Sequence, residues 1–231
     1  MSSPALPERL RFAVCLFPAV TTLDYQGPIE LFGFISSKRL DNPISAPLST
    51  EPPKYAFDIE YLGHTRDPVE PISGPSVLPQ RTYDEVLASK EQFDILLVPG
   101  GARPEGVPRS LTEFIRAQAP GARYILSVCT GSWVLAGAGI LDGRKATTNK
   151  RAFNSAKVPT KDLPIVWVPK ARWVVDGNVW TSSGVTAGAD MANAFLQHLI
   201  GDEYAEKIRG VVELSAKTAD DDPWAAYYDL V

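Results

Sequence analysis

Apolar residues in this chain gather into short, nearly unbroken runs separated by polar stretches rich in Gly and Pro. Residues 10–17 (LRFAVCLF), 93–98 (FDILLV) and 124–128 (YILSV) have the continuous apolar character of strands buried on both faces of a parallel sheet. Residues 55–62 alternate as a further strand. Residues 165–168, 172–175 and 179–182 follow as short strands, with Asp176, Gly177 and Asn178 predicting a hairpin turn between the last two. Helical periodicity lies between these runs. Pro28 at a first turn, ahead of Ile29, Leu31, Phe32 and Ile35, predicts the first crossover helix. Residues 111–118, 131–139, 186–200 and 202–215 predict others. Alternation of strand and helix predicts an α/β fold around a mostly parallel sheet. Residues 38–54 mix Pro, Ser and charge without periodicity and read as an exposed insertion; residues 216–231 read as an acidic, aromatic tail packed on the body or on a partner subunit. The insertion does not read as a domain boundary, and residues 1–231 are expected to form a single domain.

Composition narrows the function. With 231 residues, 45% hydrophobic and 22% charged, the chain can bury one substantial core. A net charge of −4 gives no electrostatic footprint for nucleic acid or an anionic membrane, so a small-molecule partner is expected. No apolar run reaches a membrane span, and the opening MSSPALPERL lacks the basic-then-apolar order of a signal peptide. A cytoplasmic location is therefore expected. Cys15 and Cys129 are the two cysteines; without CxxC spacing they predict neither a disulfide framework nor a metal site. His64 and His198 are far apart, with no ligand-spaced neighbour, so no metal and no cofactor are expected.

The segment YILSVCTG drives a strand into Cys129 and then, through Gly131 and Ser132, into a helix. Two readings of Cys129 stand at this point. At a helix N-terminus its thiol pKa would fall from about 8.5 into roughly the 3.5–7.5 range, making a reactive thiolate. As a free cysteine in an apolar segment it would simply pack as a small hydrophobe, which is also the reading of Cys15. Ligands in an open α/β sheet bind outside the carboxyl ends of the strands. There the loop after the first strand carries Asp24 and Glu30, and the loop after FDILLV carries Gly100 and Gly101. Thr130 follows the cysteine, and Ser183, Gly184 and Val185 follow the strand at 179–182. Paired glycines let backbone N–H groups approach a substrate, as an oxyanion-type pocket requires, although a tight turn alone would explain them.

Together, FPAVTTLDYQGPIELF, LLVPGG, SVCTGSWVLAGAGILDGRKATT and DGNVWTSSGVTAGAD resemble the ThiJ/PfpI superfamily over nearly the whole chain, and within it the isonitrile (isocyanide) hydratase branch. The resemblance implies a three-layer, flavodoxin-like and glutamine-amidotransferase-like sandwich with a nucleophile elbow at Cys129, and a homodimer. It implies Cys129 as nucleophile, Asp24 as the facing carboxyl, Thr130 as the residue after the nucleophile, and backbone N–H donors at Gly101 and Thr130. Gly100 and Gly184 would line the substrate site, and the N–H of Val185 would point at the thiolate. Glu30 is better read as a helix-start carboxylate than as a second acid, Thr186 as a helix cap, and Asp190 as a structural or surface charge. Trp133, Trp173 and Trp180 read as core or interface.

Thr130 follows the cysteine where peptidase-like and glyoxalase-like relatives place histidine, and Asn149 closes the TTN stretch where many relatives have TTH. A Cys–His dyad is therefore not expected. Isocyanide hydration through a Cys129 adduct, with Asp24 as general acid and base, is the expected activity. Alternatives are a glyoxalase-like or amidase-like cysteine enzyme, or a redox and stress-response protein sensing oxidation at Cys129. No helix-turn-helix segment is expected after Ser215, where the sequence turns acidic.

Overall fold

The computed structural model describes residues 6–42, 44–101 and 106–231. The readings of residues 1–5 and of Pro43 within the insertion lie outside the described residues. In chain order the elements are β1 (Glu8–Cys15), α1 (Thr22–Phe32), α2 (Ser37–Leu40), β2 (Tyr55–Gly63), β3 (Arg81–Thr82), α3 (Tyr83–Ser89), β4 (Ile95–Val98), α4 (Arg109–Gln118) and β5 (Tyr124–Ser127). They continue as α5 (Gly131–Gly137), β6 (Lys145–Ala146), α6 (Phe153–Lys157), β7 (Val166–Trp167), β8 (Trp173–Asp176), β9 (Val179–Ser182), α7 (Ala187–Ile200), α8 (Asp202–Val211) and α9 (Trp224–Tyr227).

One seven-stranded sheet runs β3-β2-β1-β4-β5-β9-β8. All its pairings are parallel except the β8/β9 edge hairpin. Every residue of β4 is buried, as its unbroken apolar run requires of a strand covered on both faces, and β9 is buried throughout although it ends in Thr181 and Ser182. The chain reverses direction along the sheet at β1, so the carboxyl ends of β1 and β4 flank a crevice, the place where ligands bind in this architecture. Among the described residues no helix is long and apolar enough to cross a membrane.

Several boundaries differ from the sequence reading. The first helix begins at Thr22, so Pro28 lies inside it and Asp24 and Glu30 stand on the helix, not in a loop before it. Proline in a helix interior removes one hydrogen bond and destabilises it; here the packing of α1 on α7 overrides that penalty. Strand β7 pairs with β6 in a separate two-stranded ribbon instead of joining the main sheet. Helix α3 was not anticipated, although Thr82 and Glu85 form a complete capping box that marks its start.

At the start of α5, Gly131 faces the backbone of β4, where any Cβ would strike the carbonyl oxygen of Val98. Gly131→Ala is expected to destabilise the protein by about 1–3 kcal/mol through this overpacking, measurable by thermal or urea denaturation.

Candidate active site

The loops after β1, β4, β5 and β9 leave four neighbouring strands from the same end of the sheet, and they converge on Cys129. Between β5 and α5 the chain turns so sharply that Cys129 adopts φ 58°, a left-handed conformation rare for a residue with a side chain. The turn is held from all sides. The N–H of Cys129 donates to Ser183 O (2.9 Å), and its carbonyl accepts the hydroxyls of Ser132 and Thr148, both at 3.1 Å. Strain sustained by this many bonds is characteristic of functional positions.

Asp24, on the first turns of α1, is fully buried. Its Oδ2 accepts the N–H of Gly100 at 2.9 Å, a bond that bridges the crevice between the β1 and β4 ends. Oδ1 is buried without a nitrogen or oxygen partner, which leaves it as the oxygen available to the Cys129 thiol. Burial raises the Asp24 carboxyl to about 7, against the lowering effects of the Gly100 amide and the thiol. The N–H of Thr130, the side chain of Asn149 and the N–H of Val185 also face the sulfur, and each acts to lower its pKa.

Of the two readings of the Cys129 thiol, its burial favours the one in which the pKa is not lowered. Burial first, and the neighbouring Asp24 charge second, push it up to about 12, outweighing the three hydrogen bonds. A helix N-terminus favours a thiolate only where desolvation does not cost more. The resting pair is accordingly a neutral thiol beside a carboxyl that burial has raised to about 7. Such a pair can hand the thiol proton to Asp24 as the sulfur attacks.

The glycines are also reassigned. The N–H of Gly100 is taken by Asp24, and that of Gly101 donates to Thr130 Oγ1 at 3.0 Å, so neither offers a free donor to a substrate. Their role is close approach: a Cβ on Gly100 would lie 2.6 Å from the nitrogen and Oγ1 of Thr130 and 2.8 Å from Asp24 Oδ2. Val185 turns its N–H toward the sulfur, and does so with φ 31°, strained for a β-branched residue. Thr186 does not cap α7 through its side chain; its hydroxyl lies 3.3 Å from Arg172 Nη2. Asp190 is buried and paired with Arg172 at 2.6 Å, the structural alternative for it. Glu30 is exposed. Cys15 is fully buried in β1, as its core reading requires. Trp180 is buried with its ring edge-on to Phe195, again a core position.

Asn149 is the residue that sequence reasoning missed as a participant. In the sequence it stands out for not being histidine, and that same motif position is the signal that places a side chain facing the sulfur. Gly184 makes room for it, since a Cβ there would lie 2.7 Å from Asn149 Nδ2. Gly184→Ala is expected to push Asn149 off the sulfur and slow alkylation of Cys129 about tenfold, the effect of losing one hydrogen bond to a charged group. Timed iodoacetamide labelling checks it.

Both histidines are engaged elsewhere: His64 Nδ1 lies 2.7 Å from Ser110 Oγ, and His198 Nε2 lies 3.1 Å from the Tyr124 hydroxyl. Among the described residues no three His, Cys, Asp or Glu side chains group as ligands for a metal ion.

The sequence model of the DJ-1/PfpI family matches residues 13–198 of the chain. An isonitrile hydratase of Pseudomonas putida is 31% identical over 202 residues, covering 87% of this chain and 76% of that protein. The HTH-type transcriptional regulator GbdR of Pseudomonas aeruginosa is 35% identical over 137 residues, covering 58% of this chain but 35% of the regulator. Deglycase PH1704 of Pyrococcus horikoshii is 36% identical over 116 residues, covering 49% of this chain and 65% of that enzyme. Among solved structures, a THiJ/PfpI family protein from Pseudomonas syringae superposes with a TM-score of 0.71 at 25% identity, over 97% of this chain and 87% of that one.

Proposed function

For this chain, which belongs to the DJ-1/PfpI family, we propose hydration of an isocyanide to an N-substituted formamide, with Cys129 as nucleophile and Asp24 as proton carrier. The observation that carries this reading is the burial of Cys129 and Asp24 together, with Asp24 Oδ1 unpartnered and both histidines bonded elsewhere; burial raises the carboxyl to about 7 and pushes the thiol up. The 31% identity to an isonitrile hydratase across most of both chains supports it.

The chemistry follows from the protonation states. Ionised Asp24 accepts the thiol proton as sulfur forms a bond to the terminal isocyanide carbon, and the same carbon then receives that proton. The product is a thioimidate, R–N=CH–S–Cys129, in which every atom of the isocyanide is retained. Asp24, ionised again, takes a proton from a water molecule whose oxygen adds to the thioimidate carbon, and passes that proton to the imine nitrogen, which leaves the carboxylate ionised for the next step. The tetrahedral adduct collapses with cleavage of the C–S bond. Its hydroxyl proton returns through Asp24 to the departing sulfur, and the formamide leaves. The Thr130 and Val185 N–H groups and Asn149 stabilise negative charge on sulfur during attack and departure, without reorganising. One carboxyl with a pKa near 7 suits both directions of transfer, because neither its acid nor its base form is scarce.

Parallel assays with an aryl isocyanide and with methylglyoxal test the proposal. Formamide from the first and no lactate from the second is the expected result. Turnover of methylglyoxal alone would replace the hydratase reading with a glyoxalase-like one.

A further inference from the structure

We infer that the segment 217–222 acts as a positioning strap for the reactive cysteine: Asp222, through its buried ion pair with Lys150, holds Asn149 against the sulfur of Cys129. The inference rests on the reading of Cys129 as the reactive nucleophile.

Residues 147–150 wrap the nucleophile, each bonded to a different part of the molecule. Thr147 donates from its N–H to Thr181 Oγ1 (2.9 Å) and from its hydroxyl to Val168 O (2.8 Å). Thr148 donates its hydroxyl to Cys129 O, and Asn149 reaches the sulfur. Lys150 turns the other way, with its ammonium donating to Thr147 Oγ1 (2.6 Å) and Ala171 O (2.7 Å) and facing Asp222 Oδ2 at 3.1 Å. The side chains of this pair are 2% and 0% exposed. A buried charge without its partner is strongly unfavourable, so the ammonium stays where it is only while Asp222 covers it.

Asp222 is delivered from far along the chain by a segment that two further bonds fasten to the body. The N–H of Lys217 donates to Asp190 Oδ1 (3.0 Å), and the N–H of Arg172 donates to Ala219 O (2.6 Å). Asp190 is itself locked by Arg172. Two buried ion pairs thus fasten the strap at both ends of a six-residue span, and one of them is a single residue away from a group on the catalytic sulfur. Asp222 and Lys150 touch no reacting atom; they are positioning residues.

The test is a double-mutant cycle read by alkylation of Cys129 with iodoacetamide across pH, followed by peptide mass spectrometry. It needs no isocyanide, so failure of the hydratase reading and failure of the strap are distinguishable. Asn149→Ala and Asp222→Asn are each expected to slow alkylation about tenfold and displace its profile to higher pH, and the double variant to show no further loss. If Asp222→Asn does not fold, Lys150→Met/Asp222→Leu removes both charges without stranding one. That variant is expected to alkylate as slowly as Asn149→Ala. Wild-type alkylation in a folded Asp222 variant, or effects of Asn149→Ala and Asp222→Asn that multiply, would overturn the inference.

Discussion

Cys129→Ser is expected to lower isocyanide turnover by about 10⁴-fold or more while leaving the fold intact, because a nucleophile and its proton acceptor act as a unit and the loss of one removes most of what both supply. Serine is nearly isosteric with cysteine and can keep the backbone bonds to Ser183, Ser132 and Thr148 that hold the φ 58° turn. Its hydroxyl, however, is a far poorer nucleophile when its partner is a carboxyl and not an imidazole. Formamide formation measured by chromatography, beside circular dichroism and a thermal melt of the same sample, separates lost chemistry from lost structure.

Asp24→Asn is expected to move activity and stability in opposite directions. Without a proton carrier, turnover should fall about 10²–10⁴-fold, the usual contribution of a positioned acid–base group. In the wild-type protein kcat/KM should rise with pH through about 7, as Asp24 ionises and becomes able to accept the thiol proton. The stability effect has a definite sign. Asp24 is raised from 3.8 to about 7 in the folded state, so between those values the native protein holds a proton that the unfolded chain has lost. Its contribution to stability is fully present below pH 4 and is lost as pH rises through 7. A shift of that size corresponds to an upper limit of about 4 kcal/mol. Asparagine keeps an acceptor for the Gly100 N–H and carries no charge, so above pH 8 the variant should be more stable than wild type, by about 2–4 kcal/mol. At pH 4 the difference should nearly vanish. Urea denaturation at the two pH values checks it. Equal stability at both would mean that burial does not penalise the Asp24 charge.

The features legible in the sequence were those set by local pattern. Strands β1, β4 and β5 follow from nearly unbroken apolar runs, and the elbow follows from a strand running into CTGS. Asp24, Thr130, Gly184 and Val185 were all identified, and all meet around Cys129. What could not be read depends on depth and on distant partners. The start of α1 was missed because Pro28 looks like a beginning, and only the packing against α7 carries the helix through it. The choice between the two readings of Cys129 could not be made from the sequence, because the helix N-terminus is visible there, whereas the desolvation that raises the thiol pKa is not. The pairing of Lys150 with Asp222 has no local signature at all. Glycines were read as donors to a substrate, but their hydrogen bonds are consumed in building the site, which depends on who stands 3 Å away.

Rapid mixing of the wild-type protein with an aryl isocyanide, acid quenching and intact-mass spectrometry tests the central claim most directly. A thioimidate retains every atom of the isocyanide, so the predicted species is heavier than the protein by the full mass of that molecule. It should map to the peptide carrying Cys129, be absent from Cys129→Ser, and decay as formamide appears. Formamide produced with no such adduct, or with Cys129→Ser as active as wild type, would contradict hydration through Cys129.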